Sequence, residues 1–276
     1  MIPAEFEYER AGSVEDAVEL LGRDEDAKLL AGGHSLIPIL RLRAYVRPSL
    51  LVDIGRLDDL RYVREDGDGI AIGALTRLAE LVGASVLTSR CLLISDSAAL
   101  VGDPQVRHRG TIGGSIAHAD PASDLGAVLL ALDADFVVQG PDGQRTVPAM
   151  EFFTGPFSTA LERRELLTEI RVPSVERGAY LKFQRSARDW ATVGVAVALV
   201  DGRTHVALAS MGPTPLRARA VEQALADGAS PADAAARAGE GTEPASDVSG
   251  SSEYRAHLAE VLVRRALEQV SNTGRK

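Results

Sequence analysis

Two stretches decide how this chain is read: GDPQVRHRGTIGGSIAHADPASDLGAVLLAL at 102–132 and AGGHS at 31–35. Each carries a Gly-Gly pair beside small hydroxyl residues: Gly32-Gly33 with Ser35, and Gly113-Gly114 with Thr111 and Ser115. Glycine has no Cβ, so backbone N–H groups can turn inward and a ligand can come close. Successive inward N–H groups make a nest for an anion such as a pyrophosphate. A helix start after the first loop adds partial positive charge. Neither stretch is G-x-G-x-x-G, and the chain has no Walker A lysine motif. A dinucleotide here would therefore be held by two separate loops and not by a Rossmann turn. Either loop alone reads somewhat better as a tight turn; together they are more informative.

Upstream of the first loop, Phe6–Arg10 alternates as a short strand does, and Ser13 with Asp16 caps an amphipathic helix carrying Val14, Ala17, Val18 and Leu21. Lys28–Ala31 reads as a buried strand. A helix is expected from Ser35 with Pro38 in its first turn, then a strand over Ser49–Ile54. The order is β-α-β-α-β over roughly 1–55.

Between the loops, GIAIG at 69–73 is strand-like, and Thr76–Ala84 and Leu92–Val101 look helical. The segment from Gly102 to Ser115 is glycine-rich and ends in the second loop, 111–115. Asp124–Leu132 is an apolar helix. Asp135–Gln139 and Gln144–Val147 flank a PDG turn, and Leu166–Val172 is a strand. Beyond it come three strands, Ala179–Gln184, Val193–Val200 and Thr204–Ser210, the last two joined by Asp201-Gly202. Helices are expected at about Arg217–Ala226, in PADAAARA and at Ser252–Val270, with a mobile loop over Ala238–Gly250.

The 276 residues carry a net charge of −9, and no basic stretch suits a nucleic-acid partner. The one cysteine, Cys91, can neither close an internal disulfide nor ligate an iron–sulfur cluster. The start, MIPAEFEYER, lacks the features of a signal peptide, and no apolar run is long enough for a membrane span. A cytoplasmic protein is expected. The five histidines show no metal-ligand spacing, and there is no G-x-S-x-G elbow.

AGGHSLIPILRLR at 31–43, followed by the 102–132 stretch, resembles the medium flavoprotein subunit of the molybdenum hydroxylases, the xanthine dehydrogenase and aerobic carbon monoxide dehydrogenase family. YLKFQRSARDWATVGVAVAL at 180–199 and GPTPLRA at 212–218 resemble that family's C-terminal domain. The likeness covers nearly the whole chain. It implies an α+β fold: a two-subdomain FAD-binding fold of the vanillyl-alcohol-oxidase/PCMH type, plus a C-terminal α+β domain with a three-stranded antiparallel sheet and helices. The expected divisions are 1–55, 56–175 and 176–276.

By the same resemblance, Ala31, Gly32, Gly33, His34 and Ser35 wrap the FAD pyrophosphate, and Thr111, Gly113, Gly114 and Ser115 hold the dinucleotide from the other side. The family often has Asn where Ser115 stands, which leaves that contact open. Asp124 would accept from a sugar or ribityl hydroxyl; by itself it reads as a helix N-terminal acid. Lys182 would approach the isoalloxazine ring; by itself it reads as a strand lysine in water. Leu36 and Val101 either touch the cofactor or belong to the core. His118 either lines the cofactor cavity or fixes its loop by a backbone hydrogen bond, the second reading being favoured. Gly114→Val is expected to abolish FAD binding by blocking the pyrophosphate path and disfavouring a positive φ.

The resemblance implies an FAD-binding electron-transfer subunit. Its partners would be a molybdenum-cofactor large subunit and a [2Fe–2S] small subunit, assembled as a dimer of heterotrimers. This chain would have no catalytic acid or base and no metal of its own. Two alternatives are a stand-alone FAD-dependent oxidase or reductase acting on a small molecule, and a non-enzymatic scaffold that has kept the fold and lost the cofactor.

Overall fold

The computed structural model describes residues 2–43, 47–175 and 177–272. The chain is mixed α/β, with three main sheets; one apolar core lies between the second and third sheets, a second covers the other face of the third, and a third belongs to the first sheet.

The first sheet is parallel. Strand β1 (Glu7–Arg10) leads to α1 (Val14–Arg23), β2 (Lys28–Leu30), α2 (Leu36–Leu42) and β3 (Leu50–Asp53). Both β1 and β2 pair in parallel with β3, so the order is β1-β3-β2. Ser13 caps α1 as its sequence suggests, its Oγ accepting from the Asp16 N–H at 3.1 Å. Ala17, Val18, Leu20 and Leu21 then pack on Leu50, Val52 and Ile54. The expected β-α-β-α-β order is observed.

A short 3₁₀ turn (Asp58–Leu60) precedes β4 (Val63–Asp66), β5 (Gly69–Gly73) and helices α3 (Leu78–Gly83), α4 (Ser85–Arg90) and α5 (Leu92–Ala99). The glycine-rich segment, whose 111–115 part was expected to be loop, then forms two helices, α6 (Pro104–Arg109) and α7 (Ile112–His118). The reason is capping. Asp103 Oδ1 accepts from the Val106 N–H at 3.1 Å with Pro104 in the first turn, and Thr111 Oγ1 accepts from the Gly114 N–H at 3.1 Å. These caps offset the low helix propensity of two glycines.

The apolar helix α8 (Asp124–Ala131) follows, and all eight of its residues are buried. Next come β6 (Asp135–Gly140), β7 (Gly143–Pro148), α9 (Ala149–Phe152), the short pair β8 (Phe153–Gly155) and β9 (Ser158–Thr159), and β10 (Leu166–Pro173). The second sheet is antiparallel, in the order β4-β5-β10-β6-β7.

The third sheet contains β11 (Gly178–Phe183), β12 (Val193–Val200), β13 (Arg203–Ala209) and β14 (Leu216–Arg217). It has four antiparallel strands where three were expected. The fourth is only two residues long, pairing Leu216 with Leu208, and carries no alternation to read. Along β12 successive side chains face opposite sides. Ala196 and Ala198, with Ala207 and Ala209 of β13, belong to the core that contains α8. Val193, Val195 and Val197 face the core built with α10 (Arg219–Ala226), α11 (Pro231–Ala235) and α12 (Ser252–Asn272). The small residues on the first side let α8 lie close to the sheet. Residues 239–251 are irregular, and Arg255 ties them down through Asp247 at 2.7 Å. Among the described residues no helix is long and apolar enough to cross a membrane.

Candidate cofactor site

The first loop connects β2 to α2. Gly33 has φ +76°, the left-handed conformation that glycine adopts without penalty. Among the described residues the N–H groups of Gly32, Gly33, His34 and Ser35 have no hydrogen-bond partner, and Ser35 makes no side-chain cap to α2. A run of free N–H groups beside a positive-φ glycine is the nest expected from the sequence.

The second loop is different. The Ile112 N–H donates to the Thr76 carbonyl (3.0 Å), Gly113 to Ala74 (2.8 Å), Gly114 to Thr111 Oγ1 (3.1 Å) and Ser115 to the Thr111 carbonyl (3.0 Å). No N–H from 112 to 115 is left for an anion, so the expected second nest is not there. Gly114 is helical, and the positive φ expected of it belongs to Gly33. The glycines of this loop serve close packing: a Cβ on Gly113 would stand 2.6 Å from the Ala74 Cβ, and one on Gly114 would stand 2.7 Å from Thr111 Oγ1.

The structure does bring the two loops together. A Cβ on Gly32 would meet the Arg109 carbonyl oxygen at 2.3 Å, and one on Gly114 the Ala31 Cβ at 3.8 Å. Beside this contact lies a cavity of about 380 Å³, walled by Ala31, Gly32, Gly33 and Thr111. It also receives five arginines, Arg10, Arg56, Arg61, Arg77 and Arg109, against two carboxylates, Asp53 and Asp58. Arg61 is held by Glu80, and Arg77 Nη1 donates to the His108 carbonyl at 3.0 Å. Among the described residues Arg56 and Arg109 have no ion-pair partner. Sequence reading missed this cluster, because its members are scattered from 10 to 109 and only the fold assembles them. A more open hollow of about 540 Å³ shares Gly32, Gly33 and Ile37 with the cavity and is flanked by His34 and Leu42.

From the second loop a chain of contacts leads to Asp124 and Lys182. Ser115 Oγ lies 3.2 Å from Ser123 Oγ, and Ser123 immediately precedes Asp124 at the start of α8. Lys182, on β11, does not point into water. Its side chain is 3% exposed and its Nζ lies 2.9 Å from Asp124 Oδ2. Tyr180, two residues earlier on the same strand, donates its hydroxyl to Asp124 Oδ1 at 2.5 Å. Both Asp124 oxygens are thus already engaged by protein donors. Burial pushes the Asp124 carboxyl above its ordinary range, against the pull of Lys182 and Tyr180. Burial and the neighbouring carboxylate likewise raise Tyr180 well above the usual phenol range. Tyr180 was not singled out from the sequence, although it stands inside the YLKFQR stretch.

Leu36 and Val101 are partly buried, and Val101 packs against the core that contains α8. The His118 ring makes no hydrogen bond to the backbone among the described residues. It lies 5.2 Å from Phe157 and its Nε2 4.0 Å from Asp120, because the left-handed Ala119 turns the chain back toward Phe157. Burial holds its pKa below the usual imidazole value, with Asp120 opposing. Free N–H groups, a positive-φ glycine and two unpaired guanidinium groups around one cavity fit a pyrophosphate-bearing cofactor.

A family model for the FAD binding domain in molybdopterin dehydrogenase matches residues 4–175. One for the CO dehydrogenase flavoprotein C-terminal domain matches residues 178–270. The chain is 44% identical to the carbon monoxide dehydrogenase medium chain of Hydrogenophaga pseudoflava over 97% of either chain. It is 38% identical to the glyceraldehyde dehydrogenase medium chain of Sulfolobus acidocaldarius, covering 98% of this chain and 100% of that one. Among solved structures it is similar to a chain of the Hydrogenophaga pseudoflava carbon monoxide dehydrogenase lacking the Mo-pyranopterin moiety, with TM-score 0.94, 44% identity and 99% of both chains covered. The chain belongs to the family in which the FAD binding domain of molybdopterin dehydrogenases is joined to a CO dehydrogenase flavoprotein C-terminal domain.

Proposed function

We propose that this chain is the FAD-binding electron-transfer subunit of a molybdenum hydroxylase complex, accepting electrons from a [2Fe–2S] subunit and passing them to a terminal acceptor. The observation that carries the reading is the free N–H run of Gly32–Ser35 on the wall of an arginine-lined cavity. These N–H groups, with the guanidinium groups of Arg56 and Arg109, hold the pyrophosphate. Thr111, Gly113, Gly114 and Ser115 form the opposing wall by shape, and Leu36 and Val101 supply apolar contact. Lys182 faces the ring end, with Asp124 as its counterion; a ribityl hydroxyl would find only the remaining lone pairs of Asp124. Bound there, FAD supplies electron exchange singly or in pairs, and the protein supplies binding, orientation and electrostatics.

The proposal includes an FAD clasp of the vanillyl-alcohol-oxidase/PCMH type with subdomains 1–55 and 56–175, and a C-terminal domain 176–276. The two family matches, meeting between 175 and 178, support the second boundary. It also includes a molybdenum large subunit, a dimer of heterotrimers and a cytoplasmic location, by analogy with the family. Relatives at 44% and 38% identity are named for carbon monoxide and glyceraldehyde dehydrogenases. That difference supports a substrate chosen by a partner subunit and not by this chain.

The test is anaerobic reduction of the purified complex by a substrate of its large subunit. Flavin absorbance should bleach in the complex and stay unchanged for the FAD-loaded chain alone. An isolated chain that oxidises a small organic substrate unaided would overturn the reading.

A further inference from the structure

Tyr180, Asp124 and Lys182 form one buried cluster across two elements. Tyr180 and Lys182 lie on the same face of β11, and Asp124 opens α8. Exposure is 7% for Tyr180, and the side chains of Asp124 and Lys182 are 4% and 3% exposed. The ammonium has three N–H donors. One meets Asp124 Oδ2 at 2.9 Å and a second the Leu100 carbonyl at 3.4 Å. Among the described residues the third has no acceptor, and a buried donor without an acceptor is costly. An acceptor on a bound ligand would satisfy that donor. Tyr180 holds the other oxygen of the same carboxylate, so the plane of Asp124, and with it the seat of the ammonium, depends on the phenol.

We propose that Tyr180 is a positioning residue: acting through Asp124, it fixes the Lys182 ammonium and its free N–H toward the bound FAD and so helps to set the cofactor's reduction potential. This rests on the reading that the site holds FAD with its ring toward Lys182. Asp124 in its ionised form offsets the lysine's charge, and the Tyr180 hydroxyl, with Lys182, favours that form against burial. Without the phenol the carboxyl moves toward its neutral form, the lysine's charge stands alone, and the electron-rich reduced cofactor is favoured. Asp120, in the turn before α8, is the other carboxylate acting on Asp124 and stays in place in every variant below.

The experiment is a spectroelectrochemical titration of FAD in the purified complex, with FAD content per chain measured alongside. It compares the wild type with Tyr180→Phe, Asp124→Asn, the double variant and Lys182→Met. FAD content is expected to hold in Tyr180→Phe while its oxidised/reduced equilibrium shifts at least fivefold toward the reduced form, about 20 mV for a two-electron couple. Asp124→Asn should shift it further the same way, and Lys182→Met the opposite way. The double variant should match Asp124→Asn alone, because Tyr180 acts through that carboxylate. Full FAD content with an unmoved potential in Tyr180→Phe, or additive shifts in the double variant, overturns the proposal. If Asp124→Asn gives no folded complex, the same cycle is run on Lys182→Met; a Tyr180→Phe shift that persists there overturns it equally. A wild-type complex with no FAD overturns the underlying reading of the site instead.

Discussion

Gly32 packs backbone to backbone against Arg109: a Cβ on Gly32 would stand 2.3 Å from the Arg109 carbonyl oxygen and 2.8 Å from the Gly110 Cα. Neither neighbour is a flexible side-chain end, so the loops must part to admit even a methyl group. Gly32→Ala is expected to lower stability by about 1–3 kcal/mol, the usual cost of overpacking, and FAD affinity by at least tenfold. Thermal unfolding and flavin content of the purified complex check both. Normal flavin content would show that the loops need not touch.

Gly33 and Gly114 separate two ways a glycine can serve the site. Gly33→Val forces a β-branched residue to φ +76°, with Ile37 and Leu30 atoms 3.2 and 3.3 Å from the new Cβ. The left-handed conformation alone costs about 1–2 kcal/mol. Relaxing it re-aims the free N–H groups, so FAD affinity should fall more than stability. Thr111→Ala removes the cap of α7 and a little of the cavity wall; it should cost about 1 kcal/mol of stability, with a smaller effect on FAD. Equilibrium FAD binding and urea unfolding of both variants order the effects; equal losses of affinity would return the second loop to the role of a direct anion site.

Arg217 ties both sides of α8's C-terminal end to the third sheet. Its side chain is 2% exposed and meets Glu222 Oε1 at 2.5 Å, Asp133, and the Leu130 carbonyl at 3.3 Å. Arg217→Ala leaves Glu222 half-partnered, although Arg219 and the Val206 N–H remain. A loss of about 3 kcal/mol is expected, the low end for breaking a buried pair. Denaturant unfolding measures it, and a change under 1 kcal/mol would show that Arg219 alone suffices.

Burial pushes the Cys91 thiol up to about 12 from 9.0. At pH 8 on the order of one thiol in ten thousand is ionised, so iodoacetamide should leave the native protein unmodified and label it once unfolded. The sign for stability follows. The folded state keeps the proton longer, so this contribution is intact below pH 9 and is lost as pH rises toward 12. Rapid labelling of the native chain would mean that the α4–α5 junction opens.

The elements of the first sheet were legible because the alternating run Phe6–Arg10 and the apolar runs Lys28–Ala31 and Ser49–Ile54 are punctuated by a Ser13-capped amphipathic helix. Helices α6 and α7 were not. Two glycines and a proline look like loop until Asp103 and Thr111 are seen as caps. Elements of two residues, such as β14 and β9, are too short to show any period. At the site, the motifs named the residues but not which N–H groups stay free. That depends on Ala74 and Thr76, which are distant in sequence and take up the N–H groups of Gly113 and Ile112. The role of Lys182 as one member of a buried trio could not be read from alternation, which gives a face but not its neighbour.

The most direct measurement is chromatographic identification of the cofactor released from the gently purified complex, with its visible spectrum recorded first. The account predicts about one FAD per copy of this chain, with iron–sulfur absorption from the partner. A complex that carries iron–sulfur absorption but releases no flavin would contradict it.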